Sequence, residues 1–281
     1  MYTLIVENKY GEQLELTHNP KYSITEVDGL YPPEATINTN KNANVDGSVY
    51  NSSYLNDRQI TITLAVNSPA ETNRLELYKY FKTKYPIRLY YKNSTRDVYI
   101  DGYVQKMTVE YFSQKQTVQI VIDCPMALFN AREETIEEML TVERKFRFPF
   151  SIKNPIPFSI LTLAKETNII NHGDVETGML IKLLASGAVK NPKIYNAQTL
   201  ERIVLNVQMQ AGDEIDINTR MKEKSIRLLR DGEQINVIGT LQASSSWFKL
   251  SPGDNLFTYE ADEGVERLQC IFIINNQFEG V

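Results

Sequence analysis

The sequence predicts a mainly β protein built from two domains. Three observations carry this reading. Apolar residues recur at every second position in many short segments, which is the period of a half-buried strand. Clusters of Gly, Pro, Asn and Asp punctuate those segments at close spacing, as turns do. The chain has 281 residues, beyond the usual size of a single core, so each half can bury a core of its own.

In the first part, "YTLIVEN" and "QLEL" read as strands and lead to the segment "GLYPPEATINTNKNANVDGSVYNSSYLNDRQITITLAV". Its end is a strand, with Ile60, Ile62, Leu64 and Val66 on one face and Thr61, Thr63 and Ala65 on the other. From Asn38 to Asp57 the residues are mostly polar, and Asp46-Gly47 offers a hairpin turn between weak strand formers. Connections of that length serve a partner or stay mobile. "SPAETNRLELYKYFKTKYP" then predicts the one helix, capped by Ser68, with Pro69 in its first turn and an end before Pro86. Leu75, Tyr78 and Phe81 form its expected apolar stripe, which would lie on a sheet as a second layer. "VYIDGYVQKMTVEYF" and "TVQIVIDCPMALF" complete a first domain expected over residues 1–140.

The next stretch changes character. Glu133, Glu134, Glu137 and Glu138 predict a short acidic helix, and Pro149, Pro155 and Pro157 then remove ladder donors, so residues 141–168 read as a linker. Residues 169–281 return to short strands with no convincing helix. Ile203, Leu205, Val207 and Met209 alternate with Arg202, Val204, Asn206 and Gln208, Leu268, Cys270, Phe272 and Ile274 repeat the same period, and Asp231-Gly232 supplies a tight turn. A sandwich or jelly roll is the expected form.

Chemistry is sparse. The mild net charge of −5 argues against a protein that grips nucleic acid, which needs concentrated Lys and Arg, so specific nucleic-acid binding is not expected. Two cysteines, Cys124 and Cys270, sit far apart on strand patterns and predict no disulfide. The opening "MYTLIVENKYGEQLEL" has neither a basic region nor a long apolar core, and no membrane span appears, which predicts synthesis and assembly in a cytoplasm. His18 precedes a proline turn. His172 lies in "NHGDVETG", where a polar turn held by Asn171 and Asp174 outweighs a metal site, because no second His or Cys pair accompanies it. The four glutamates suit a solvated helix start better than a pair of glycosidase carboxylates. Trp247-Phe248 reads as one buried and one exposed aromatic rather than a sugar platform. No nucleophile elbow, phosphate loop or dinucleotide fingerprint occurs, so no catalytic, cofactor-binding or metal residues are assigned and an enzyme is not expected.

The order of these features resembles the distal tail protein family of long-tailed phages and prophages. The resemblance rests on "GLYPPEATI", "NVDGSVYNSSYLNDRQITITLAV" and "ETNRLELYKYF" in the first half, and on "NHGDVETGMLIKL", "NPKIYNAQTLERIVLNVQMQAGDEIDINT", "LLRDGEQINVIG", "WFKLSPGDN" and a closing "FEGV" in the second. It implies an N-terminal β-sandwich or split-barrel domain with one helix and an extended arm, and a C-terminal galectin-like β-sandwich. It also implies a hexameric ring at the virion tail tip, joining tail tube and tape-measure proteins to a tail-associated lysin, fibre or baseplate protein. On that reading Val45, Asp46, Gly47, Ser48, Val49, Tyr50 and Tyr54 form the oligomerisation arm, since a head-to-tail ring needs an extension on one edge of each copy. The galectins' sugar-binding pattern is missing, because Phe248 follows Trp247 where that pattern has glycine. The alternative reading is a carbohydrate-binding adhesin, which exposed aromatics on one sandwich face would favour.

Overall fold

A computed structural model describes residues 2–41, 46–113, 115–143, 160–163 and 166–281. The chain divides into two compact units, Met1–Arg132 with Gln277–Val281, and Glu133–Asn276. The division falls at Arg132 rather than near residue 140, and the last five residues belong to the first unit. Of the expected linker, residues 144–159 and 164–165 lie outside the described residues.

The first unit contains β1 (Thr3–Asn8), β2 (Gln13–Glu15), β3 (Tyr22–Asp28), β4 (Ala35–Asn40), β5 (Val49–Leu55), β6 (Arg58–Val66), α1 (Ala70–Tyr80), β7 (Pro86–Lys92), β8 (Asp97–Val109), β9 (Gln116–Cys124) and β10 (Phe129–Ala131). An antiparallel sheet runs β2-β1-β7-β8-β9-β6-β3, and β10 branches from β8 to pair with a closing strand, Gln277–Phe278. The alternation read from β6 is real, with Ile60, Ile62 and Leu64 fully buried. They pack with Leu4, Val6, Ile100, Ile120 and Phe129 in one core.

The helix lies where the sequence placed it, but its buried face differs. Pro69 occupies the cap position without a side-chain cap bond, so Ser68 does not cap it. Asn73, Leu77 and Phe81 are buried at a spacing of four, whereas Leu75 is half exposed. Asn73 escaped notice because it is polar. Its amide donates to the Asn67 carbonyl at 2.9 Å, and its own carbonyl accepts from the Tyr22 hydroxyl at 3.0 Å, so burial leaves these groups satisfied.

The second unit contains β11 (Thr135–Glu138), β12 (Leu140–Glu143), β13 (Ile160–Leu163), β14 (Glu166–Asn171), β15 (Met179–Ala185), β16 (Val189–Lys190), β17 (Lys193–Asn196), β18 (Arg202–Val204), β19 (Gln208–Met209), β20 (Glu214–Asn218), β21 (Ser225–Arg230), β22 (Glu233–Asn236), β23 (Gly253–Glu260) and β24 (Leu268–Ile274). A six-stranded sheet, β11-β24-β15-β20-β21-β22, and a four-stranded sheet, β14-β23-β17-β18, supply one core. Phe257 touches Phe248 and Phe272 at ring-centroid distances of 5.3 and 5.2 Å, in the tilted geometry aromatic pairs prefer.

Two expectations fail in this unit. The acidic segment is strand β11 and not a helix, because its register against Ile271–Ile274 of β24 satisfies the backbone along a sheet edge. The run from Ile203 to Met209 is broken into β18 and β19 instead of forming one strand. The Asp231-Gly232 turn does join β21 to β22, with φ of 52° and 81° at the two residues.

Candidate functional site

The polar stretch of the first unit forms a two-stranded ribbon, β4 against β5, which pairs with no other sheet among the described residues. Every described residue of β5 is exposed, as are all of β4 except Thr36. An isolated ribbon of this kind is marginal in water. A polar cross-strand contact supports it, with Asn38 Nδ2 donating to Ser52 Oγ at 3.1 Å, and along β5 the Tyr50 and Ser53 hydroxyls stand 2.8 Å apart.

Of the arm residues named from sequence, Asp46, Gly47 and Ser48 lie at the exposed turn, with Gly47 at φ 93°, and Val49, Tyr50 and Tyr54 lie along β5. Val45 lies outside the described residues. The register shifts between Asn38 and Thr39, so that Asn38 faces Ser52 while Thr39 faces Tyr50. That bulge absorbs Asn51 and reverses the facing of the residues before it. Tyr50 therefore shares a face with Ile37, and Tyr54 stands on the other, although a regular strand would place both tyrosines together. Ile37, Val49, Tyr50 and Tyr54 are each about 60% exposed. Both ribbon faces thus carry an aromatic with no intramolecular cover.

The root of the ribbon is as ordered as its length is exposed. Glu34 accepts from the Asn56 amide at 2.9 Å, and Thr36 Oγ1 donates to Asn56 Oδ1 at 2.8 Å. Below them lies Arg58, 4% exposed, at the start of β6. Its Nε donates to the Ala127 carbonyl at 2.7 Å, Nη1 to the carbonyls of Gly29 at 2.6 Å and Tyr31 at 2.5 Å, and Nη2 to the Glu279 carbonyl. The guanidinium carbon stands 4.6 Å from the centre of the Phe129 ring. Burial lowers the Arg58 pKa from its ordinary value, but a guanidinium stays charged under all ordinary conditions. The cation is held by a ring of carbonyl dipoles and an aromatic face.

Neighbouring groups tighten the same root. Gly29 adopts φ 86°, and a Cβ there would stand 2.1 Å from the Gln59 carbonyl oxygen, so the turn needs glycine for both conformation and space. The Val281 amide donates to the Leu30 carbonyl at 3.1 Å. "GLYPP" and "FEGV", far apart in sequence, therefore meet around Arg58. Sequence reasoning missed this residue, although a signal existed: Arg58 is in phase with Ile60, Ile62 and Leu64 on the inward face of β6. Beside it, burial and the nearby Asp57 carboxylate push the Asp123 carboxyl above its ordinary range.

The remaining candidates stay apart. His18 and His172 are exposed, and Asn171 Oδ1 accepts from the Gly173 amide at 2.8 Å in the polar turn read from sequence. Glu134 pairs with Arg220 at 2.6 Å. Phe248 is buried and Trp247 partly so. Cys124 and Cys270 are buried free thiols, and burial pushes Cys124 up to about 12. Among the described residues, no group of His, Cys, Asp and Glu is placed to hold a metal ion, and no helix is long and apolar enough to cross a membrane.

Comparison with known proteins yields two family matches. Residues 9–124 match a family described as phage tail protein RIFT-related domain, and residues 172–272 match one described as siphovirus-type tail component, C-terminal domain. No curated protein sequence matches significantly. Among solved structures, SPP1 Dit (gp 19.1), described as a paradigm of the hub adsorption apparatus in phages infecting Gram-positive hosts, is similar with a TM-score of 0.70 at 15% identity, over 99% of both chains. A chain of the phage P2 baseplate in its activated conformation with Ca is similar with a TM-score of 0.54 at 15% identity, over the whole of both chains.

Proposed function

Because this chain belongs to the siphovirus-type distal tail protein family and is a structural component of the phage tail and baseplate, we propose that it forms the ring adaptor of the tail tip. Six copies close head to tail through the first unit, and each β4–β5 ribbon seats on its neighbour. The ring joins tail tube and tape-measure proteins on one side to a tail-associated lysin, fibre or baseplate protein on the other. The second unit, a galectin-like sandwich on this reading, serves as the outward docking module. The protein works by shape, without catalysis, and assembles in the host cytoplasm.

The observation that carries the proposal is the ribbon, paired with no other sheet and bearing an exposed tyrosine on each face. The distribution of aromatics agrees with it. Among the described residues, the well-exposed large aromatics are Tyr2, Tyr10, Tyr31, Tyr50, Tyr54, Tyr85, Tyr103, Tyr111 and Phe112, all in the first unit. Tyrosine is enriched at protein interfaces, where its ring is covered and its hydroxyl stays hydrated. Among its described residues the second unit exposes aliphatic side chains such as Leu200 and Ile238 but no large aromatic, which disfavours the adhesin reading. Mass photometry and class-averaged electron micrographs of concentrated protein test the proposal. Closed particles of six copies are expected, and a population confined to monomers and open chains would refute it.

A further inference from the structure

The ribbon's exposure raises a question that its own contacts do not answer: what fixes its direction? Two polar contacts tie its base together, yet neither connects it to the sheet below. A partner that must be met in one orientation is met faster and held longer by a preorganised element than by a swinging one.

We infer that Arg58 and the segment Gln277–Val281 form a latch that sets the direction of the β4–β5 ribbon, so that Arg58 is a positioning residue for assembly. The inference rests on the proposed role of the ribbon for its biological meaning, but not for its geometry. One leg of the ribbon leaves from Gly29–Tyr31, whose two carbonyls accept from Arg58 Nη1. The other leg returns into β6 at Arg58 itself. A single planar group therefore clamps the departing leg to the returning one. Its remaining donors reach the Ala127 and Glu279 carbonyls, which binds the root to the turn before β10 and to the closing segment.

The closing segment contributes from its own side. Its strand pairs Phe278 with Phe129, the ring beneath the guanidinium. Gly280 lies against the Leu30–Pro32 turn, where an added Cβ would stand 3.2 Å from Pro32 Cδ. Four carbonyl acceptors on three separate segments suit a guanidinium fork and not an ammonium, which offers one compact charge on a flexible stem. Removing either half of the latch should leave the sheet, since the strands from β1 to β9 pair without the closing segment.

Paired nitroxide labels at Ser52→Cys and Gln119→Cys read the ribbon's direction against the sheet in the full-length chain, because both sites are exposed and both native thiols are buried. The unaltered latch should give one narrow distance distribution. Arg58→Lys, and separately a chain ending at Asn276, should each at least double its width while amide exchange in β7 and β8 stays protected, and ring assembly should fall at least tenfold. A Tyr50→Ser, Tyr54→Ser variant should keep the narrow distribution and lose assembly. A narrow distribution in both latch variants would overturn the inference. Broad distributions with undiminished assembly would support the latch and count against the ribbon as the assembly element.

Discussion

Arg58 illustrates how a buried charge can be held chiefly by neutral groups. Four carbonyl oxygens and the Phe129 face replace its hydration, so truncation would leave those carbonyls unpaired and open a void over the ring. Arg58→Ala is expected to cost the first unit about 3–5 kcal/mol, because several carbonyls each lose a donor at about 1–3 kcal/mol and entering water recovers part of that, and a chemical-denaturation curve checks this. Asp123 gives the opposite sign. Its carboxyl is raised by burial and by Asp57, so the ionised form present at neutral pH is the disfavoured one. Asp123→Asn should therefore raise the melting temperature at pH 7. That gain should vanish as pH falls below the ordinary carboxylate value of about 4, where the wild-type group is protonated in both states. Thermal melts across that pH range distinguish this from a general packing effect. Neither residue was singled out in the sequence reading. Arg58 was concealed by the habit of assigning charges to the outside, although its phase in β6 placed it inward, and Asp123 owes its shift to burial first and then to Asp57, a neighbour beside it because β6 pairs with β9.

The strands with strict alternation, β6 and β24, were legible because burial on one face imposes a period of two that nothing else mimics. Elements with weaker intrinsic pattern were not. The acidic segment at Glu133–Glu138 favours a helix by composition, but β24 offers a continuous edge and tertiary pairing overrides propensity there. The helix stripe was displaced because Asn73 is buried for its hydrogen bonds and not for its hydrophobicity. The ribbon was readable as an extension from its length and its Asp46-Gly47 turn, while the bulge that parts Tyr50 from Tyr54 leaves no mark in the sequence. Because its described residues are exposed apart from Thr36, replacing residues 36–54 by a Gly-Gly turn removes little apolar burial. At about 25 cal/mol per Å² of area returned to water, the isolated monomer should lose no more than about 1–2 kcal/mol. Denaturant unfolding of that variant checks the figure, and a loss several times larger would place the ribbon in the core.

At the scale of the whole molecule, two mostly β units follow from two separate hydrophobic clusters, and the length and strand pattern of the chain already indicated them. Their boundary was not readable, because the chain enters the second unit through β11, which composition disguised, and closes in the first unit with five residues too few to show a pattern. The division predicts that residues 133–276 melt cooperatively when expressed alone. A fragment of residues 169–281 should not, since it lacks β11 and the buried Met139 and cuts β14 within Glu166–Asn171. The central claim, that the ribbon joins neighbouring copies, is tested most directly by the particle mass of the full-length chain and of the variant with residues 36–54 replaced, measured side by side at equal concentration. The full-length chain should form closed rings of six, and the variant should remain monomeric with its melting transition nearly intact. Rings of equal mass and abundance from both proteins would contradict the claim.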